Sequence, residues 1–220
     1  LLVFAIDADG TLGGEVKQNE PLETGIFPHQ IRITPDNKMA ILVTRGNDAT
    51  KDKAEDPGAL KVFHYNNGQL SGEVSIAPNN GYGFGPRHLD FHTEKPWVYV
   101  SLERQNQLTV YKREGAALQT AAAWTVNTVQ KPGKSGLRQM VGTVHVHPNG
   151  RFVSVANRAD ATVEFQGQQV LGDGENSFAC FAIDQNSGEP KLIGHADTHG
   201  NYREIDTQED MNLAQTLWKP

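Results

Sequence analysis

An imidazole, a carboxylate and three guanidiniums stand at matching places along this chain: His29, Glu103, and Arg45, Arg87 and Arg158. A guanidinium is a planar fork that donates two hydrogen bonds to a carboxylate or phosphate, so several of them converging make a receptor for a small anion. A carboxylate among such cations is held ionised and is able to act as a base, while an imidazole exchanges protons near neutral pH. Brought together, these groups suit acid–base chemistry on a small anionic molecule. Scattered along a rim, they would make exposed ion pairs worth little to stability.

What brings them together is an internal repeat. HQIRITPDNKMAILVTR (29–45), RHLDFHTEKPWVYVSLE (87–103) and GTVHVHPNGRFVSVANR (142–158) superpose, starting 58 and then 55 residues apart. Each is an alternating strand, a polar turn and a second strand rich in Val, Ile and aromatics, which is the grammar of a hairpin. A second family of hairpins lies between them: LLVFAIDADGTLGGEV (1–16), LKVFHYNNGQLSGEV (60–74), LTVYKREGAALQTAA (108–122) and FACFAIDQNSGEPKLIG (178–194). Each repeat is therefore four strands, A to D. The predicted fold class is all-β, a β-propeller of four-stranded antiparallel blades with strand A lining a central channel.

The expected organisation is a partial ring of about three to four blades over residues 1–202. Residues 1–20 end one blade, 28–80 form the next, 86–128 another with a connection to 141, and 142–200 a further one, before an atypical tail at 203–220. In the tail TQEDMNLAQTL reads as weakly helical, with a Thr207 to Asp210 capping arrangement, and Arg203 stands where a further strand A would open. Within each blade, A and B are antiparallel, so the residue opening A and the residue closing B meet at one end of the channel. Those pairs are His29 with Arg45, Arg87 with Glu103, and Gly142 with Arg158. Long B–C connections at 47–59 and 159–177 mark one face of the ring, as insertions at a binding face do.

FPHQIRITPD, GFGPRHLDFHTEKPWVYVSLERQNQLTVY and GTVHVHPNGRFVSVANR resemble the seven-bladed lactonase propellers. That family groups cycloisomerase-type 6-phosphogluconolactonase with 3-carboxy-cis,cis-muconate lactonizing enzyme. The resemblance covers residues 1–202 and implies an active site of a His, two Arg and a Glu at one channel end. Motif by motif these fall on His29 in PHQ, Arg87 in GPRH, Glu103 in SLE and Arg158 in ANR. The implied activity is a lactonase opening a small anionic sugar lactone, 6-phosphogluconolactone first. A muconate-type cycloisomerase on the same site is the alternative. Arg87 and Arg158 would anchor the substrate anion and counter the oxyanion, with Arg45 as a further substrate-binding cation. Glu103 would activate water or orient a partner, and His29 would move a proton. No cofactor and no metal is called for. Seven implied blades at about 55 residues each exceed 220 residues, so the chain reads as a piece of a ring.

Other motifs compete. IDADGTL (6–12) copies the Asp-x-Asp-Gly-Thr motif of haloacid-dehalogenase-type phosphatases, and LGDGEN (171–176) is similar to their acidic Mg²⁺ motif, which would recruit Asp7, Asp9 and Asp173. IDADGTL aligns, however, with the repeated C–D turns, and no amphipathic helices alternate with the strands. GYGFGPRH is glycine-rich but no helix follows to receive a phosphate. His145 and His147 share one strand face at a spacing that can chelate Zn²⁺, yet His147 aligns with His92 and Thr34, a recurring structural position. Trp97, Tyr99 and Phe152 are read as inter-blade core, and Cys180 as a buried small residue without a disulfide mate. The formal net charge of −6 would repel a polyphosphate backbone, which argues against nucleic acid, and no apolar run approaches the ~20 residues of a membrane span. LLVFAIDADGTL opens within a strand-like segment and lacks signal-peptide features, which leaves the compartment unreadable. A propeller that binds without catalysis is the remaining class.

Overall fold

The computed structural model describes residues 1–132, 138–159, 161–171 and 174–198. Asp173 and the tail with Arg203, Thr207 and Asp210 lie outside the described residues. A hairpin of β1 (Phe4–Ile6) and β2 (Leu12–Glu15) comes first. Blade I then runs β3 (Pro28–Ile33), β4 (Met39–Thr44), β5 (Ala59–Asn66) and β6 (Gln69–Ile76), hydrogen-bonded in that order. Blade II is β7 (Pro86–Phe91), β8 (Trp97–Leu102) and β9 (Gln107–Glu114), with its outer edge split into β10 (Ala117–Leu118) and β11 (Trp124–Asn127), both paired with β9. Blade III contains β12 (Gln139–Val146) and β13 (Phe152–Ala159), a side hairpin of β14 (Thr162–Phe165) and β15 (Gln168–Leu171), then β16 (Ser177–Ile183) and β17 (Pro190–Asp197). All pairings are antiparallel, and the three four-strand paths are the expected A-B-C-D blades.

The alternating sequence of each strand explains why blades stack face to face. Met39, Ile41 and Val43 of β4 meet Leu89, Val98 and Val100 of blade II in one apolar cluster. The opposite face of blade II supplies Trp97, Tyr99 and Val110 to a second cluster with Val144, Val153, Val155 and Phe181 of blade III. Strand β8 is consequently buried along its whole length. Each such side chain removed from water is worth about 1.5–3 kcal/mol, so the inter-blade seams dominate the stability of the ring segment.

Polar links tie the first strands to one another across the seams. The Leu89 amide donates to Gln30 Oε1 at 2.7 Å, and the Val146 amide to Asp90 Oδ2 at 2.9 Å. Tyr99 donates its hydroxyl to the Gly188 carbonyl at 2.9 Å, and a Cβ on Gly188 would fall 2.5 Å from Trp97, so that turn tolerates no side chain.

Four details depart from the sequence reading. Strand A of blade III begins at Gln139 rather than at 142, so Met140, not Gly142, stands opposite Arg158. The insertion 159–177 contains the β14–β15 hairpin, where Gln166 (φ 51°) and Gly167 (φ 76°) form the tight two-residue turn that right-twisted strands favour. Phe152 is 42% exposed because strand alternation turns it away from Val153 and Val155, onto the face of blade III remote from blade II. Cys180 pairs with Ser154 on that same outward face and is only half-buried. Trp97 and Tyr99 are inter-blade core as expected.

The A–B turns share one device. Thr34 Oγ1 accepts from the Met39 amide at 3.1 Å, His92 Nδ1 from the Glu94 and Lys95 amides at 3.1 and 2.9 Å, and His147 Nδ1 from the Asn149 amide at 3.2 Å. His147 thus closes its own turn. Likewise Asp7 and Asp9 build a hairpin turn: the Asp7 carbonyl accepts from Gly10, and Asp9 Oδ1 from the Thr11 amide and hydroxyl. IDADGTL is a β-turn here, and GYGFGPRH leads into β7 rather than into a helix.

Candidate active site at the end of the first strands

The end of the channel where strands A begin is shaped by a bulge in each blade. On β3, Pro28 pairs with Thr44 and Gln30 with Val43, so two steps of β3 oppose one of β4 and His29 is the inserted residue. On β7, Pro86 pairs with Leu102 and His88 with Ser101, which makes Arg87 the inserted residue. On β12 the irregularity falls between Val141 and Val144, at Gly142 and Thr143. A bulge bends its strand and re-aims one side chain. The proline preceding His29 and Arg87 suits the first position of a strand, where no ladder donor is required.

Glu103, just past the end of β8, is 3% exposed and collects the guanidiniums. Arg158 Nη2 donates to its Oε1 at 2.7 Å, Arg45 Nε donates to its Oε2, and Arg87 Nε lies 3.7 Å from Oε1. One carboxylate from blade II therefore gathers an arginine from each of the three blades. Burial by itself would raise the Glu103 carboxyl, but Arg45, Arg87 and Arg158 outweigh it and hold the group below its ordinary value of 4.5. Glu103 is ionised throughout the neutral range.

Arg45 is committed on all three nitrogens. Besides Glu103, its Nη1 donates to the Gly46 carbonyl at 3.0 Å and its Nη2 to Asp48 Oδ2 at 2.8 Å. Asp48 opens the long connection of blade I, which Arg104 also fastens: its guanidinium bonds Glu55 and the Arg45 carbonyl and lies 3.4 Å from Asp48. Gly58 closes the connection so tightly that a Cβ there would stand 2.0 Å from the Phe84 carbonyl. The insertion is thus clamped beside Glu103.

Between these groups opens a cleft of about 560 Å³, the size of a small-ligand site. His29, Arg45, Arg87, Glu103 and Arg158 all line it, so the structure brings together every site residue that the sequence singled out. Lys53 and Asp48 of the insertion and Arg138 ahead of β12 line it too, and the repeat alignment gave no sign of them because they lie in connections. Five cationic side chains face two carboxylates in the cleft, an excess of three positive charges in a chain whose net charge is −6. The cleft therefore attracts an anion.

His88 is the other residue that sequence reasoning passed over. Its Nδ1 lies 3.1 Å from Arg87 Nη1, and its ring meets that of His29 edge-on at 4.7 Å. Burial, then Arg87 and His29, push its imidazole down to about 4, so it is neutral at physiological pH. Its place immediately after the bulge, in GPRH beside PHQ, was the available signal. Among the described residues no group of His, Cys, Asp and Glu is arranged to hold a metal ion, and no helix is long and apolar enough to cross a membrane.

Comparison with known proteins gives a consistent result. The family model described as "Lactonase, 7-bladed beta-propeller" matches residues 1–213. The chain is 30% identical over 204 residues to the 6-phosphogluconolactonase of Bacillus subtilis (strain 168), an alignment covering 91% of this chain and 51% of that protein. It is 26% identical over 196 residues to the 6-phosphogluconolactonase of Pectobacterium carotovorum subsp. carotovorum (strain PC1), covering 89% of this chain and 50% of the relative. Among solved structures, the periplasmic gluconolactonase of Pseudomonas aeruginosa superposes with a TM-score of 0.65 at 22% identity, over 91% of this chain and 51% of that one, a likeness of fold. The chain spans about half the length of the relatives it matches.

Proposed function

The chain belongs to the lactonase family of seven-bladed β-propellers, and from that premise we propose that it carries the active site of a lactonase opening a small anionic sugar lactone with water, 6-phosphogluconolactone first. The observation that carries the reading is Glu103, buried and ionised under arginines from three blades, in a positively charged cleft that His29 also lines.

In lactone hydrolysis a water oxygen bonds to the carbonyl carbon, the carbonyl oxygen takes negative charge, and the bond to the ring oxygen breaks. Arg87 and Arg158 serve the two anionic features, the oxyanion and the substrate's phosphate or carboxylate. His29 takes the proton from the attacking water and returns it to the departing ring oxygen. Glu103, with its proton affinity lowered by three guanidiniums, is a poor base and a good organiser: it fixes the arginine forks before substrate arrives. Arg45, anchored on Glu103, Gly46 and Asp48, acts on a bound anion through its charge.

Assay of the full-length protein on 6-phosphogluconolactone and on 3-carboxy-cis,cis-muconate tests this. Lactone turnover is expected, with kcat/KM reduced by roughly 10²–10⁴ in His29→Asn and in Glu103→Gln. Full activity in both variants would place the chemistry elsewhere. Turnover of the muconate in place of any lactone would make the protein a cycloisomerase, and turnover of neither substrate would leave a binding role.

A further inference from the structure

One imidazole at the mouth of the channel joins two blades and is tied to the third through Ser101. His88 belongs to β7 of blade II and abuts His29 of blade I edge-on at 4.7 Å. Its own amide donates to Ser101 Oγ at 3.2 Å, and Ser101 Oγ in turn donates to the Gly142 carbonyl at 2.8 Å. His88 is therefore held through its backbone as well as through its ring.

The chemistry of its neighbour fixes which nitrogen carries the proton. A guanidinium has only donors, so with Arg87 Nη1 3.1 Å away, His88 Nδ1 is the acceptor and Nε2 bears the hydrogen. The groups acting on the ring are Arg87 from its own strand, His29 from β3 and His145 from β12, all basic. These surroundings, added to burial, keep the ring neutral and so keep Nδ1 available to Arg87.

We infer that His88 is a positioning residue of the lactonase site, holding the Arg87 fork through Nδ1 and the His29 ring through its edge, so that anion holder and proton carrier keep one relative geometry. The inference rests on the lactonase reading for its kinetic consequence and on the contacts alone for its structural one. Two substitutions separate the two contacts. His88→Asn keeps an acceptor near the place of Nδ1 but removes the ring that His29 abuts. His88→Phe keeps an aromatic edge but removes the acceptor.

In the full-length protein, His88→Phe is expected to raise KM about 10-fold through the loosened guanidinium, with kcat little changed. His88→Asn is expected to lower kcat about 10-fold through the misaligned imidazole, with KM little changed. A residue that merely supports the fold would lower kcat and raise KM together in both variants, and that result, or wild-type kinetics in both, overturns the inference. A second arm does not depend on the reaction. Titration with inorganic phosphate should show weaker binding in His88→Phe and unchanged binding in His88→Asn. Nitrogen-15 spectra of the histidines should show wild-type His88 as the Nε2–H form titrating near pH 4. A neutral His88 that carries its proton on Nδ1 would sink the inference even in an active lactonase, whereas the expected spectra and phosphate binding without lactone turnover would overturn the functional reading and leave His88 as the organiser of an anion site.

Discussion

His88 lies near the start of β7 and His92 just past its end, four residues apart, and burial is the first cause that lowers the proton affinity of both. Their partners differ in kind. His92 is served by the backbone: its Nδ1 accepts from two amides of its own turn, and its Nε2 lies 2.8 Å from the Gly150 carbonyl of the neighbouring turn. His88 is served by a guanidinium and another imidazole. The turn end of the channel is thus closed by short, neutral, backbone-saturating contacts. The open end is held by long charged side chains that meet only because three blades converge. Histidine is structural at one end and belongs to the cleft wall at the other, and residue type alone does not distinguish them.

The contrast breaks first at Glu103. Replacing it by Ala leaves Arg45, Arg87 and Arg158 facing one another without their shared counter-charge, which should cost about 3–5 kcal/mol in urea unfolding and abolish lactone turnover. Because the folded carboxyl titrates below its ordinary 4.5, its contribution is complete above that pH and is lost as pH falls through the lower folded value. The wild type should therefore lose its stability advantage over Glu103→Ala in acid. An advantage that persisted far below pH 4 would mean that packing, not charge, accounts for it.

A smaller effect is expected at the other end. His92→Leu takes away the acceptor of the Glu94 and Lys95 amides and one of the two donors to the Gly150 carbonyl at a buried ring, a loss of about 1–3 kcal/mol by the same measurement, with kcat/KM per folded molecule unchanged. A fall in kcat/KM would erase the distinction between the two ends. Smallest is His147→Ala, at an exposed version of that turn, where the loss should stay within about 1 kcal/mol. A loss equal to that of His92→Leu would show that the cap matters and its burial does not.

The blade order was legible because alternation and turn residues repeat at nearly constant spacing, and the meeting of His29, Arg45, Arg87, Glu103 and Arg158 followed from antiparallel pairing alone. The bulges were not legible. One inserted residue hides inside a strand whose hydrophobic alternation resumes on either side, and only the shared Pro before His29 and Arg87 hints at it. Lys53 and Arg138 escaped because connections carry no period to align. Phe152 was misread because composition marks a residue as apolar but not which face of its blade it occupies.

The inserted position has a consequence for how such a mouth can change over generations. It lies between two ladder pairs, so its side chain is exchangeable without shifting the register of the blade. In this chain three consecutive blades fill that socket with His29, Arg87 and the Gly142–Thr143 step. A single codon change there rewrites the reagents presented at the mouth while the seams that hold the ring stay as they were. The wheel and its chemistry are inherited on separate accounts.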